Sequence, residues 1–251
     1  MNKSESIGFL TANKLREDLK IPEKVAVNFK YITEKLMIKV RHGDLGSGIE
    51  GACKSQGLKR LIILKNNPSS LQKERFTLSH EIGHLIIHHG LHLCQKEYFY
   101  TYNKLNGKER EANDFAVELL LPKKEMLGIL RNNDFTFELI KEVANKYDTS
   151  LSVAAIQLIQ MFNDNAAIIW HDGQNIIWKV LSDDCVFNIL NIISPCALAH
   201  RITAEKRNIK GKIDSQHWVD NEDTDIICEE ESHYFSNLKQ YFTILKFYDD
   251  Y

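Results

Sequence analysis

Proline is scarce, with four in 251 residues. Long linkers and disordered tails, which are normally rich in proline and polar residues, are therefore not expected. Long hydrophobic runs are missing too. A membrane helix needs about 20 apolar residues, whereas the longest apolar stretches here, such as Leu61 to Leu64, are strand-length. The five cysteines (Cys53, Cys94, Cys185, Cys196 and Cys228) are scattered, odd in number and without a CxxC pair. That pattern fits reduced thiols in a cytoplasm better than a disulfide framework. The N-terminal residues lack the basic start, apolar run and small-residue cleavage site of a signal peptide. No charge of one sign prevails: 32 basic and 34 acidic side chains leave a net charge of −2, which gives no electrostatic footprint for nucleic acid. The expectation is a soluble, cytoplasmic protein with no direct nucleic-acid or membrane partner.

What is present is the composition of an ordinary globular chain, 43% hydrophobic and 26% charged, long enough for one large domain or two modest ones. Apolar residues at helical spacing predict helices over residues 6–19 and again after Pro22, through Val25, Phe29, Ile32 and Leu36. Three short apolar runs at 37–40, 50–54 and 60–65 read as strands of a small sheet. A long helix then runs to about His89, with Ser69 and Gln72 at capping-box spacing and Gly90 as C-cap. A polar, aromatic loop is expected at 91–108, followed by a helix that stops at Pro122 and a helical pair at 137–147 and 151–162. Beyond 163 the texture becomes β-rich. Runs at 166–171 and 175–181 flank Asp172-Gly173, a hairpin signal. Further strands are expected at 212–219 and 241–248, with a helix or two around 185–206. The reading is therefore α+β, with a domain over 1–163 and a smaller α+β unit over 164–251.

The chemistry-bearing run is RFTLSHEIGHLIIHH, residues 75–89, which carries HExxH inside the long helix. Residues four apart on a helix are rotated by ~400°, so His80 and His84 sit one turn apart on nearly the same face. They can point two imidazoles at one Zn2+ ion, and Glu81 lies beside them as general base. Zinc lowers the pKa of water toward ~7, and a neighbouring carboxylate then helps deliver hydroxide to a scissile carbonyl. Gly83, without a side chain, lets another helix approach closely. A catalytic zinc needs a third protein donor and an open fourth position. The segment Glu109-Arg110-Glu111-Ala112-Asn113 offers two carboxylates. Glu111 shares a face with Phe115 and is favoured, while Glu109, near the helix start, reads as a solvated acid suited to the helix dipole.

The run RFTLSHEIGHLIIHH followed by EREANDFAVELLLP resembles the ImmA/IrrE-type metallopeptidases, whose recurring pattern is FTLAHELGHLLLH and then EREANxFAAELLMP. The resemblance covers roughly residues 24–162. It implies a mainly helical, zincin-like metallopeptidase domain with a small sheet. By the same resemblance His80 and His84 match the histidine ligands, Glu81 the catalytic glutamate and Glu111 the third ligand of zinc. Ser79 stands where alanine is usual, Leu121 where methionine is usual, and Asp148-Thr149-Ser150 replaces a shorter apolar turn. None of these removes a ligand. The resemblance also implies proteolysis of a partner helix-turn-helix transcriptional repressor, a stress-response or induction device. No DNA-binding module is evident at the N-terminus, so the repressor would be a separate polypeptide.

Other residues have blander readings. His88 reads as a histidine favoured at the helix C-terminus by the dipole, and His89 and His92 as surface residues. Asp114 or Asn113 could accept the outer N–H of a ligating imidazole. Tyr98, Tyr100 and Tyr102 read as an edge strand, with oxyanion stabilisation as the alternative. Met126, Met161 and the tryptophans read as core, and residues 229–231 as a solvated acidic patch. Two functions compete with proteolysis: a zinc-binding regulator that sequesters a repressor without cutting it, and a ligand-sensing role for residues 164–251, which no residue supports.

Overall fold

The computed structural model describes residues 6–95, 107–202, 207–220 and 226–249. Among them the chain is α+β, with seven α-helices and two sheets. No described helix is long and apolar enough to cross a membrane. Two compact units emerge, one of residues 1–125 and 142–154, the other of 126–141 and 155–251. The division passes through the helices α5 (Lys123–Leu130), α6 (Phe137–Lys146) and α7 (Leu151–Ile159).

In the first unit, α1 (Ile7–Asp18) starts where the Ser6 side chain accepts the Phe9 N–H, and α2 (Phe29–Lys35) starts where Asn28 does the same for Tyr31. Each cap satisfies one of the N–H groups that a helix start leaves without a partner. Three strands fall where the apolar runs predicted, as β1 (Ile38–Gly43), β2 (Ile49–Gln56) and β3 (Lys59–Lys65). A fourth, β4 (Leu91–Gln95), replaces the start of the expected loop. It pairs antiparallel with β2, giving the order β1-β3-β2-β4. Its alternation is inverted relative to a surface strand: Leu91 and Leu93 are exposed while Cys94 is buried.

The long helix α3 (Leu71–Ile87) is capped by Ser70, whose side chain accepts from Lys73 N, so the cap lies one residue beyond the Ser69 expected from sequence. Left-handed His89 and Gly90 end it and turn the chain into β4. Helix α4 (Gly107–Leu120) packs on α3, and α3 also packs on β2 and β3. The core between them comprises Ile32, Ile62, Leu64, Ile82, Leu85, Phe115 and Leu119. Arg16 of α1 is buried and donates to the carbonyls of Leu119 and Pro22. Helix α1 also touches α4 through Gly8, where a Cβ would fall on the carbonyl oxygen of Glu111 and lie 2.8 Å from Phe115 N.

In the second unit β5 (Ala166–His171), β6 (Ile176–Leu181), β7 (Asn208–Asp214), β8 (Ile226–Phe235) and β9 (Gln240–Asp249) form one antiparallel sheet in the order β6-β5-β9-β8-β7. The expected Asp172-Gly173 turn is present, with Asp172 Oδ1 accepting from Gln174 and Asn175 N–H and Gly173 at φ +100°. Between 185 and 202 there is no α-helix, only one 3-10 turn at Leu198–Arg201. Residues 229–231 are not a solvated patch but the middle of β8. Alternation turns Glu230 into the core, where it is fully buried and accepts from Leu198 N, Ala199 N, Trp218 Nε1 and Ser232 Oγ. Four donors replace the water it loses. Trp218 is fully buried as expected, whereas Trp170 and Trp178 are half-buried and stacked on each other.

His171 is fully buried between Thr243 Oγ1, 3.0 Å from its Nε2, and the Gly173 N–H, which donates to its Nδ1. Burial pulls its pKa from 6.5 down to about 4, with His200 adding to the effect.

Two outcomes follow from these contacts. Gly8→Ala must push apart two helix backbones and should lower stability by about 1–3 kcal/mol, read as a fall in the thermal midpoint. His171 stays neutral in the fold while its unfolded counterpart takes up a proton below 6.5, so stability falls as pH drops from 6.5 toward 4. Between about pH 7 and pH 5 this group should remove about 2 kcal/mol, and in urea titrations His171→Gln should flatten that part of the profile.

Candidate metal centre

Helix α3 carries His80, Glu81 and His84 on its buried side, all three with no exposed surface. The two Nε2 atoms lie 3.0 Å apart, with the rings edge to face. Two glycines make room. A Cβ on Gly83 would stand 3.0 Å from the Phe115 ring, so its absence lets α4 close on α3 as the sequence implied. A Cβ on Gly51 of β2 would collide with Glu81 Oε1 and with Thr77 Cγ2 at 2.7 Å.

The first turn of α4 brings Glu109, not Glu111, to the histidine pair. Glu109 Oε2 is 3.2 Å from His80 Nε2 and its Oε1 is 3.4 Å from His84 Nε2. Glu111 instead meets His88, with Oε2 2.7 Å from Nε2. The preference for Glu111 is therefore corrected to Glu109. The reason is helical phase. Glu109 shares its stripe with the buried Ala112, Asn113 and Ala116 at i+3, i+4 and i+7, and this stripe faces the site. Glu111 is two residues, over half a turn, out of phase and reaches a later turn of α3. The signal was present as an acid one turn before an asparagine on a small-residue face.

The outer nitrogens show which lone pairs face the centre. His80 Nδ1 is 2.7 Å from Asn113 Oδ1. An amide oxygen only accepts, so Nδ1 is the donor of this contact, and in the neutral ring that leaves the Nε2 lone pair facing the centre. Of the two candidates for this contact, Asn113 fills the role. His84 Nδ1 is 3.0 Å from His88 Nδ1. His92 of β4, expected at the surface, stacks on His84 with ring centroids 4.5 Å apart. Cys94, also on β4, adds its thiol to a group in which donor atoms of His80, His84, Cys94 and Glu109 all lie within 4.8 Å of one another. Tyr98, Tyr100 and Tyr102 lie outside the described residues.

These residues fit a zinc ion. Donors at ~2.0–2.1 Å in a tetrahedron stand about 3.3 Å from each other, and the 3.0 Å between the two Nε2 atoms and the 3.2 Å from His80 Nε2 to Glu109 Oε2 are close to such edges. Two lone pairs and a carboxylate this close repel unless a proton or a cation lies between them. The buried Oε2 of Glu109 lacks hydrogen-bond geometry to any partner, despite its approach to His80. Burial holds the pKa of His84 down at about 4, against the pull of Glu109, which keeps its ring neutral as a ligand must be. For Glu109, burial acts upward, but contact with His80 and His84 outweighs it and lowers the pKa to about 2.

Glu81 stands apart from the donor set. Both its oxygens are buried without a partner in hydrogen-bond geometry, beside the thiols of Cys53 and Cys94. Burial raises its pKa, and His80 partly offsets the rise. A carboxylate so placed is primed to take a proton.

An HExxH helix laid on a sheet, with an acid from the next helix, defines a protein of the metallopeptidase type. Residues 33–158, about half the chain, match the IrrE N-terminal-like domain of the M78 peptidases, and the chain belongs to that family. No curated protein matches it. Among solved structures, a Mycobacterium tuberculosis transcriptional regulator shares the fold at a TM-score of 0.53 and 10% identity, covering 96% of this chain and 76% of that one.

The assignment of Glu109 has a direct consequence. Glu109→Ala should abolish stoichiometric zinc binding, whereas Glu111→Ala should still take up one zinc per chain at saturation, as read by atomic absorption after gel filtration.

Proposed function

We propose that this chain is a zinc-dependent metalloendopeptidase of zincin-like architecture that cleaves a partner protein, a helix-turn-helix transcriptional repressor. One observation carries the reading: a fully buried Glu81 carboxylate beside the facing Nε2 atoms of His80 and His84 and the Glu109 carboxylate. His80, His84 and Glu109 are the three protein donors. When bound, zinc supplies Lewis-acid chemistry, polarising a scissile carbonyl and making water more acidic. Glu81 takes the proton of the attacking water and returns it to the leaving amine. The closed packing of α4 and β2 around Glu81 excludes bulk water, so its charge acts undamped by solvent.

Membership of a peptidase family supports a protein substrate, and the fold shared with a transcriptional regulator is compatible with a role in gene control. The repressor as substrate rests on the resemblance of the two sequence motifs. Cys94 favours a second reading. Its thiol in the donor set would close the fourth position, and four protein donors are the mark of a structural site. On that reading the chain binds zinc and sequesters a repressor without cutting it.

The two are separated by incubating the zinc-loaded protein with purified helix-turn-helix repressors. Cleavage is expected, and Glu81→Gln should slow it by about 10²–10⁴-fold while keeping the metal. Cleavage by Glu81→Gln at the wild-type rate would remove Glu81 as the base. Tight association without fragments would favour the sequestering reading.

A further inference from the structure

His88 and Glu111 are left over once the donor set is complete. Neither belongs to it, yet they are joined to it through His84. His88 closes α3 as its C-cap residue, one turn beyond His84. Its Nδ1 lies 3.0 Å from His84 Nδ1, and its Nε2 lies 2.7 Å from Glu111 Oε2. The His88 side chain is only 5% exposed and that of Glu111 30%, so water competes weakly for the inner contact.

We propose that Glu111 and His88 form a polarity relay that holds the proton of His84 on Nδ1 and thereby turns its Nε2 lone pair into the metal centre. The inference rests on the zinc reading for its purpose, but not for its geometry. A carboxylate offers only acceptor sites, so it takes the Nε2 proton of His88. A neutral imidazole carries one proton, which leaves His88 Nδ1 as an acceptor. The proton between the two Nδ1 atoms then belongs to His84, and His84 Nε2 is bare. With His88 neutral, each step follows from the one before. His80 reaches the same state more simply, through Asn113. Ligating histidines generally donate their outer N–H to a carboxylate or carbonyl. Here a second imidazole is interposed, because Glu111 is out of helical phase with the site and cannot reach His84 itself.

The relay predicts that the charge of Glu111 matters more than its size. With glutamine in its place, an amide N–H can donate to His88 Nε2. When that amide donates, the chain of donors reverses: His88 Nδ1 carries a proton toward His84, and His84 Nε2 is no longer held bare for a cation. His88 and Glu111 are positioning residues, since they act through His84 and touch neither metal nor substrate.

Two measurements on the full chain test this. Nitrogen-15 NMR of histidine-labelled protein, with and without zinc, should find His88 protonated on Nε2 and bare on Nδ1, with a coupling across the hydrogen bond to His84 Nδ1. A proton on His88 Nδ1 in the wild-type protein would overturn the proposal. In chelator competition His88→Phe and Glu111→Gln should weaken zinc binding about 10–100-fold. His88→Gln, whose amide offers an acceptor to His84 and a donor to Glu111, should recover most of that loss. Wild-type affinity in His88→Phe, or equal loss in the phenylalanine and glutamine variants with folding intact by circular dichroism, would also overturn it. A wild-type protein that binds no zinc would instead remove the metallopeptidase reading, while the NMR result would still decide the relay.

Discussion

Two imidazole nitrogens 3.0 Å apart and sealed from water form an arrangement that is unfavourable unless a proton or a cation lies between them. Glu109 adds a buried carboxylate at 3.2 and 3.4 Å. Like lone pairs at such distances repel, and no bulk solvent is present to screen them. The surrounding structure therefore has to hold the donors in place, and a cation at their centre relieves the repulsion. Much of the first unit can be understood from that requirement. Helix α3 supplies three of the four charged or chargeable groups from two successive turns, so their spacing is set by the helix. Helix α4 is brought in by the Gly83 and Gly8 contacts, which place its first turn against the pair.

Around the donors the outer contacts set proton positions. Asn113 does this for His80, and His88 with Glu111 for His84. β4 closes the remaining side with the His92 ring and the Cys94 thiol. Burial raises the pKa of Glu81 and keeps it basic, while His80 and the thiols of Cys94 and Cys53 partly offset that rise. The second unit follows a different logic. Its core is a five-stranded sheet in which a buried glutamate, Glu230, is fully paired. Full pairing makes Glu230 a structural acid.

Much of the architecture could be read before folding. The HExxH spacing placed His80, Glu81 and His84 on one buried face because helical periodicity is local. The first three strands and the Asp172-Gly173 hairpin were likewise carried by local apolar runs and turn residues. Other elements were hidden. β4 is short, and its exposed leucines with an inward histidine and cysteine reverse the usual pattern. β8 was masked by three consecutive glutamates, whose alternation only becomes visible when a partner strand fixes which face is the core. The choice between Glu109 and Glu111 turned on the rotational phase of α4 against α3, which neither segment encodes alone.

The linear chain thus decides which residues can act as donors and base, since residue type and helical spacing are local properties. It also decides family membership, because the two motifs occur together and in order. Packing decides which of two neighbouring carboxylates reaches the histidines, that His88 is an intermediary and not a bystander, and that β4 lines the site. Those outcomes depend on angles between elements distant in sequence, and such angles are set by ridges, glycine gaps and buried contacts that exist only once the chain has closed on itself.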